Sequence, residues 1–327
     1  IDDPSVYFQT ALYTGSGSDN AVTNDGNSDL QADLLLCKRR NDTGNILVFD
    51  SSRGFNGDND SLYLETTDDG AETHNDNDHL KSFNSDGFTM QGASSRSNRN
   101  NDSFIAWQWK MNAGSTTSGG GDDSIATSTY QANTTAKQSI VTYTGEASAK
   151  TVAHGLGVKP NVIIVKCRQT KDWHAYFDAS PSVSDPETDY LRPNTTLALT
   201  DNDTSWNDTA PTTSVFTIGS GSGGDANGNT DTFVAYCFAN VQGYSKFGSY
   251  EGNGNDDGPF VYTGFKPAWL MYKRTNDVAN WRILDHKREA FNVMGNEIYA
   301  DLDNAAADDD QIDFLSNGFK LRNGSSV

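Results

Sequence analysis

Apolar residues come in short runs, rich in β-branched and aromatic side chains and bounded by Gly, Asn, Asp or Pro. That texture predicts strands joined by many turns. Long runs of good helix formers are absent. The run FIAWQW (104–109) is apolar on both of its alternating faces, which predicts a central strand covered on both sides. The fold class expected is all-β.

The same runs recur in order. Three segments of equal length align without a gap: CKRRNDTGNILVFD (37–50), VKCRQTKDWHAYFD (165–178) and YKRTNDVANWRILD (272–285). Each has Lys second and Asp last, so Lys38, Lys166 and Lys273 correspond, as do Asp50, Asp178 and Asp285. Each follows an apolar triplet: LLL (34–36), VII (162–164) or WLM (269–271). Downstream, Phe88 and Phe216 each lie 38 residues beyond their Asp, and Phe319 lies 34 beyond Asp285. A last aromatic strand appears twice, as DSFIAWQWK (102–110) and DTFVAYCFA (231–239). Upstream, Tyr-Thr-Gly recurs at 13–15, 143–145 and 262–264.

Several markers in one order define a repeat of about 100 residues, a size and texture expected of β-sandwich or jelly-roll units. Unit one covers 1–111, residues 112–137 read as a Gly/Ser/Thr-rich linker or long loop, unit two covers 138–243 and unit three 244–327. The third unit lacks the closing aromatic strand. Either the chain continues beyond Val327 or another segment completes the sheet, and strand addition from a neighbouring copy, or from this chain's own N-terminus, is the expected remedy.

Composition sharpens this picture. The chain is rich in Gly, Asn, Asp, Ser and Thr, the residues that supply turn geometry. Its 11 % aromatic content separates it from disordered chains. The net charge of −20 repels phosphate backbones, which argues against nucleic-acid binding. No stretch approaches the roughly 18 apolar residues of a membrane span, so membrane insertion is not expected. Cys37, Cys167 and Cys237 lie in apolar runs and read as small buried hydrophobes.

The candidate chemistry is sparse. The five histidines fall in no catalytic motif; His74 and His79 flank a polar loop where a metal is the alternative to a plain turn. The recurring Lys and Asp are expected to form a structural ion pair between two strands of each unit: Lys38 with Asp50, Lys166 with Asp178, Lys273 with Asp285. A pair present once per unit, with no recurring nucleophile or base beside it, points away from catalysis. Acidic loops such as NGDND (56–60), DDGAETHNDND (68–78), GGDANGNTD (223–231), NGNDDG (253–258) and DLDNAAADDD (301–310) read as solvated turns, with bound Ca²⁺ as the alternative. Asn253, Asn255 and Asp257 imitate the start of an EF-hand loop, but the twelfth position is Gly264 rather than Glu. Most tryptophans lie in predicted strands; Trp206, in DNDTSWNDTAP, reads instead as a surface contact for a partner chain or glycan.

The segments TVAHGLGVKPNVIIVK (151–166), 233–275 and FLSNGFKLRNG (314–324) resemble an uncharacterised repeat domain common in predicted virion proteins of marine bacteriophages, including cyanophages. The resemblance covers units two and three closely and unit one more loosely, since unit one lacks the His-Gly-Leu-Gly segment. It carries no catalytic residues. It implies a non-enzymatic virion structural protein: a fibre, spike or appendage on the particle surface, contacting other virion proteins and a host glycan or receptor, as a homo-oligomer. A head-decorating protein is the nearest alternative; a polysaccharide-degrading tailspike or a secreted adhesin are the others.

Overall fold

The computed structural model describes residues 1–57, 60–75, 77–178, 185–220 and 224–324. Strands take 39 % of the chain and helical structure 2 %, in several antiparallel sheets, so the fold is all-β. Single 3-10 turns opened by proline stand at Pro4–Val6 and Pro186–Thr188.

The first region supplies β1 (Phe8–Thr14), β2 (Asn20–Val22), β3 (Leu34–Arg39), β4 (Leu47–Asp50), β5 (Leu64–Glu65), β6 (His79–Phe83), β7 (Phe88–Gln91) and β8 (Ser103–Trp109). One sheet runs β1-β8-β3-β4-β5 and a second β2-β7-β6. Between them lies a core of Leu35, Cys37, Phe49, Phe88, Phe104 and Ala106. β8 is central, paired with β1 on one side and β3 on the other. That explains its two-sided apolarity: Phe104 and Ala106 face this core, while Ile105 and Trp107 enter another cluster with Trp281, Ile283 and Ile298.

The stretch read as a linker or long loop also contributes strands to a sheet. It forms β9 (Thr117–Ser118) and β10 (Ser128–Asn133), and β10 pairs along its length with β11 (Gln138–Thr144). Its Ser/Thr composition conceals a polar strand whose hydroxyls are used: Thr129 and Thr142 bond across the pair at 2.8 Å, and Gln131 reaches Ser51 and Ser52. The second region continues with β12 (Lys150–Ala153), β13 (Val162–Cys167), β14 (Trp173–Phe177), β15 (Asp189–Tyr190), β16 (Thr200–Asp201), β17 (Val215–Ile218) and β18 (Thr232–Phe238). β18 lies between β11 and β13 as β8 lies between β1 and β3, in the same register: Phe104 and Phe233 face Tyr13 and Tyr143, while Ala106 and Ala235 face Cys37 and Val165. β12 pairs with β17 as β2 does with β7.

The third region contains β19 (Phe260–Tyr262), β20 (Trp269–Tyr272), β21 (Arg282–Asp285), β22 (Met294–Tyr299), β23 (Ala307–Leu315) and β24 (Gly318–Leu321), hydrogen-bonded in the order β19-β24-β23-β22-β21-β20. Here the Tyr-Thr-Gly correspondence fails. Val261 pairs with Phe319, as Val22 pairs with Phe88 and Val152 with Phe216, so β19 takes the place of β2 and β12. The counterpart of Tyr13 and Tyr143 is Tyr250. Its ring meets Phe319 edge-on at 6.2 Å, as Tyr13 meets Phe88 at 5.6 Å and Tyr143 meets Phe216 at 6.3 Å. The glycines agree. Gly15 and Gly145 donate to Asp102 and Asp231 at the head of the closing strand, whereas Gly264 donates to Asn317. A Cβ on Gly15 or Gly145 would lie 2.1 or 2.3 Å from a carbonyl oxygen of that approach, which is why glycine stands there. Among the described residues the chain's own N-terminus does not complete the third sheet: β1 lies in the first-region sheet beside β8, and no first-region strand joins the third.

Candidate functional site

The recurring lysines lie at the seams where the three regions meet. Lys38 on β3 and Lys166 on β13 are fully buried, and neither bonds to its expected aspartate. Lys38 donates to the carbonyls of Gly44 and, at 3.0 Å, Asp303. Lys166 donates to Asp69 (3.2 Å), Cys167 (2.9 Å), Gln169 (3.3 Å) and Lys171 (2.8 Å). Lys273 donates to Thr196 at 2.9 Å and to Ala279. In every case one acceptor belongs to another region: the first reaches the third, the second the first, and the third the second. Burial pushes Lys38 and Lys166 down to about 8, with nearby acidic side chains opposing.

The backbone repeats this cycle. The three foreign carbonyls also accept N–H bonds from Gly44 (2.7 Å), Lys171 (2.9 Å) and Ala279 (2.9 Å). Three residues beyond each carbonyl, Ala306, Glu72 and Leu199 donate back to Arg40 (3.1 Å), Arg168 (2.8 Å) and Thr275 (2.8 Å). One junction is therefore built three times, and its direction closes the three regions into a ring.

The aspartates serve the same seams through other partners. Asp50 accepts from the Arg53 side chain at 2.5 Å and its N–H at 2.8 Å; Asp285 accepts from Arg288 at 2.6 and 2.9 Å. Both pairs have fully buried side chains. Each arginine also donates to a carbonyl of its own strand, Val48 or Ile283. An aromatic from the closing strand of another region then caps each carboxylate: Tyr236 Oη on Asp50 at 2.7 Å and Trp107 Nε1 on Asp285 at 3.3 Å. Tyr236 and Trp107 hold the same position, three beyond Phe233 and Phe104.

Asp178 is not the third member. Leu34 pairs with Asp50 and Trp269 with Asp285, but Val162 pairs with Phe177. The turn after Lys166 is one residue shorter, so a gap-free alignment places Asp178 one position late. It sits half-exposed beside Lys159 at 3.2 Å. The same shift makes Trp173 the counterpart of Trp281, and both donate Nε1 across a seam, to Glu65 and Arg192 carbonyls at 2.9 and 3.1 Å.

Trp206 is also not where its polar neighbourhood places it. It is 1 % exposed, packs on His174 and Tyr176, and donates to Asp189 O at 2.9 Å. The indole fills the core beneath a polar loop, whose Asn and Thr side chains form the loop's own turns. Asn253, Asn255 and Asp257 do sit in an exposed loop, but their side chains are engaged. Asn253 and Asn255 each accept the N–H two residues on, and Asp257 pairs with Lys320 at 2.8 Å. Among the described residues no group of three or more His, Cys, Asp or Glu is placed to hold a metal. Residues 58, 59, 76 and 223, within the acidic loops, lie outside the described residues.

His79, His154 and His174 are buried, and burial lowers them to about 3, 4 and 3, respectively. Burial raises the Cys37 and Cys237 thiols to about 12, which keeps them protonated. Sequence reasoning missed Arg53, Arg288, Tyr236 and Trp107. A signal for the arginines was available: Asp-x-x-Arg stands at 50–53 and again at 285–288.

Residues 3–327 match the model of a domain family of unknown function, DUF7483. The chain belongs to that family. No curated protein and no solved structure matches it significantly. Within this family member, Lys38, Lys166, Lys273, Asp50 and Asp285 are elements of a ring of seams, and each takes a partner that the fold itself supplies.

Proposed function

We propose that the chain is a non-enzymatic structural subunit of a phage virion, acting by contact through its acidic loops and open sheet edges. One observation carries this reading: the groups that resemble catalytic machinery, Lys38, Lys166, Lys273, Asp50 and Asp285, are engaged at the seams by carbonyls of another region or by buried arginines. The ring of seams favours a three-lobed body, suited to an appendage tip or a head decoration, over units strung in line along a shaft. Its partners in this reading are other virion proteins, further copies of itself and a host-surface glycan or receptor. Ca²⁺ enters as a bridge between acidic loops and an acidic host surface; melting with and without chelator tests that role.

The decisive experiment is gold labelling of intact, purified particles with antibody raised against residues 1–327. Label at a fixed place on the particle supports the reading, and that place separates appendage from head. Chain found only in the particle-free lysate overturns it.

A further inference from the structure

The third sheet has a vacancy of defined chemistry. In the first two regions the Lys-bearing strand and the Tyr-bearing strand flank a closing strand, β8 or β18. In the third region, among the described residues, β20 is paired on one side only, with β21. Residues 246–252, which carry Tyr250, form no strand pairing among the described residues, and Gly252 has no counterpart of the Gly15–Asp102 bond. Tyr250 packs on the same core cluster as Leu270 and Tyr272 of β20, so both segments border the place that a closing strand takes in the other regions.

Charge marks the same place. Arg39 pairs with Asp42 and with Asp102 at the head of β8, both at 2.8 Å, and is buried. Its counterpart Arg274 keeps the equivalent of the first partner, Asp277 at 3.0 Å, but its side chain is 51 % exposed. Among the described residues no second carboxylate pairs with it; its Nε donates to Asn276 instead. The seams agree as well. The closing strand of the second region caps Asp50 of the first, and that of the first caps Asp285 of the third. A third closing strand would complete this cycle over β14.

We infer that the edges of β20 and of residues 246–252 accept one further antiparallel strand with the chemistry of β18. This strand is led by an acidic residue that meets Arg274, has Phe opposite Tyr250 and Ala opposite Tyr272, and is delivered from the C-terminal side of β24. In both complete regions the closing strand follows the strand containing Phe88 or Phe216 in the chain, which sets the side of delivery. Strand addition of this kind gains affinity from main-chain bonds and specificity from alternate side chains. The inference stands apart from the virion reading, since it concerns the sheet alone.

The test uses a labelled synthetic peptide of residues 230–240 carrying C237S, titrated into the 1–327 chain. Expected are saturable binding, a rise in melting temperature, at least tenfold weaker binding with Asp at the Phe233 and Ala235 positions of the peptide, and weaker binding to R274E. A photo-reactive group at the Phe233 position should cross-link near Tyr250 or Arg274. In a second arm the same strand is fused behind Val327 through a ten-residue Gly/Ser linker and should block the free peptide. Absence of peptide binding, cross-linking elsewhere, or a fused strand that leaves peptide binding unchanged overturns the inference. So does a dimer of the chain that dissociates as peptide binds, which would give the vacancy to a second copy.

Discussion

Tyr236 donates its hydroxyl to Asp50 at 2.7 Å across the seam between the second and first regions, onto a carboxylate already held by Arg53. The three groups are buried and have unequal weight. Removing the hydroxyl leaves Asp50 with its arginine and two backbone N–H donors, so Tyr236→Phe should cost about 1–2 kcal/mol. Removing the arginine strands a buried carboxylate, so Arg53→Met should cost about 3–5 kcal/mol. Chemical denaturation of both variants checks the order, and equal losses would contradict it.

Lys166 is the most densely used of the three lysines, with four carbonyl acceptors spanning two regions. Lys166→Met keeps the buried stem and removes every donor. Each carbonyl left dry costs about 1 kcal/mol or more, so a loss of about 3 kcal/mol is expected. Because Asp69 belongs to the first region, the loss should appear in the unfolding of both regions. Hydrogen exchange checks this: faster exchange confined to residues around 166 would show the seam to be local.

The all-β class and the central position of the FIAWQW strand were legible because period-two apolarity and turn residues report local structure. The partners of the charged residues were not. Lys38 and Asp50 lie on paired neighbouring strands, yet the lysine meets a carbonyl 265 positions away. Proximity in one unit says nothing about a ring formed by three. Asp178 shows a second limit, since a one-residue change in turn length is invisible to a gap-free match but moves a side chain to the next register position. Tyr262 shows a third. A three-residue motif matched by identity, whereas its counterpart by position, Tyr250, stands in Tyr-Glu-Gly.

Trp206 separates two readings of one residue. As a surface contact its loss would leave the fold intact; as a buried core residue beside His174 and Tyr176 its loss opens a large cavity. Trp206→Ala should cost about 3–5 kcal/mol, read as a lower melting temperature of the second region. An unchanged melting curve with a lost binding activity would restore the surface role.

The buried histidines should weaken the fold as pH falls below neutral. His79 and His174 are lowered to about 3 and His154 to about 4, each chiefly by burial, against an ordinary value near 6.5. A base whose folded value is depressed is neutral in the fold and takes up a proton on unfolding. Its contribution is complete above pH 6.5 and is lost as pH falls towards the folded value. Each group then removes about 1.4 kcal/mol per pH unit below 6.5. Three together give a slope of about 4 kcal/mol per unit, starting well above the range where ordinary carboxylates titrate. Among the described residues neither ring nitrogen of His174 has a hydrogen-bond partner, and the ring stacks on Tyr190 at 4.2 Å, so an aromatic can replace it without orphaning one of these residues. Stability measured by urea unfolding between pH 7 and 5 should show this slope, and His174→Phe should reduce it by about one third. A flat profile down to pH 5 would mean that the three imidazoles reach water in the folded chain.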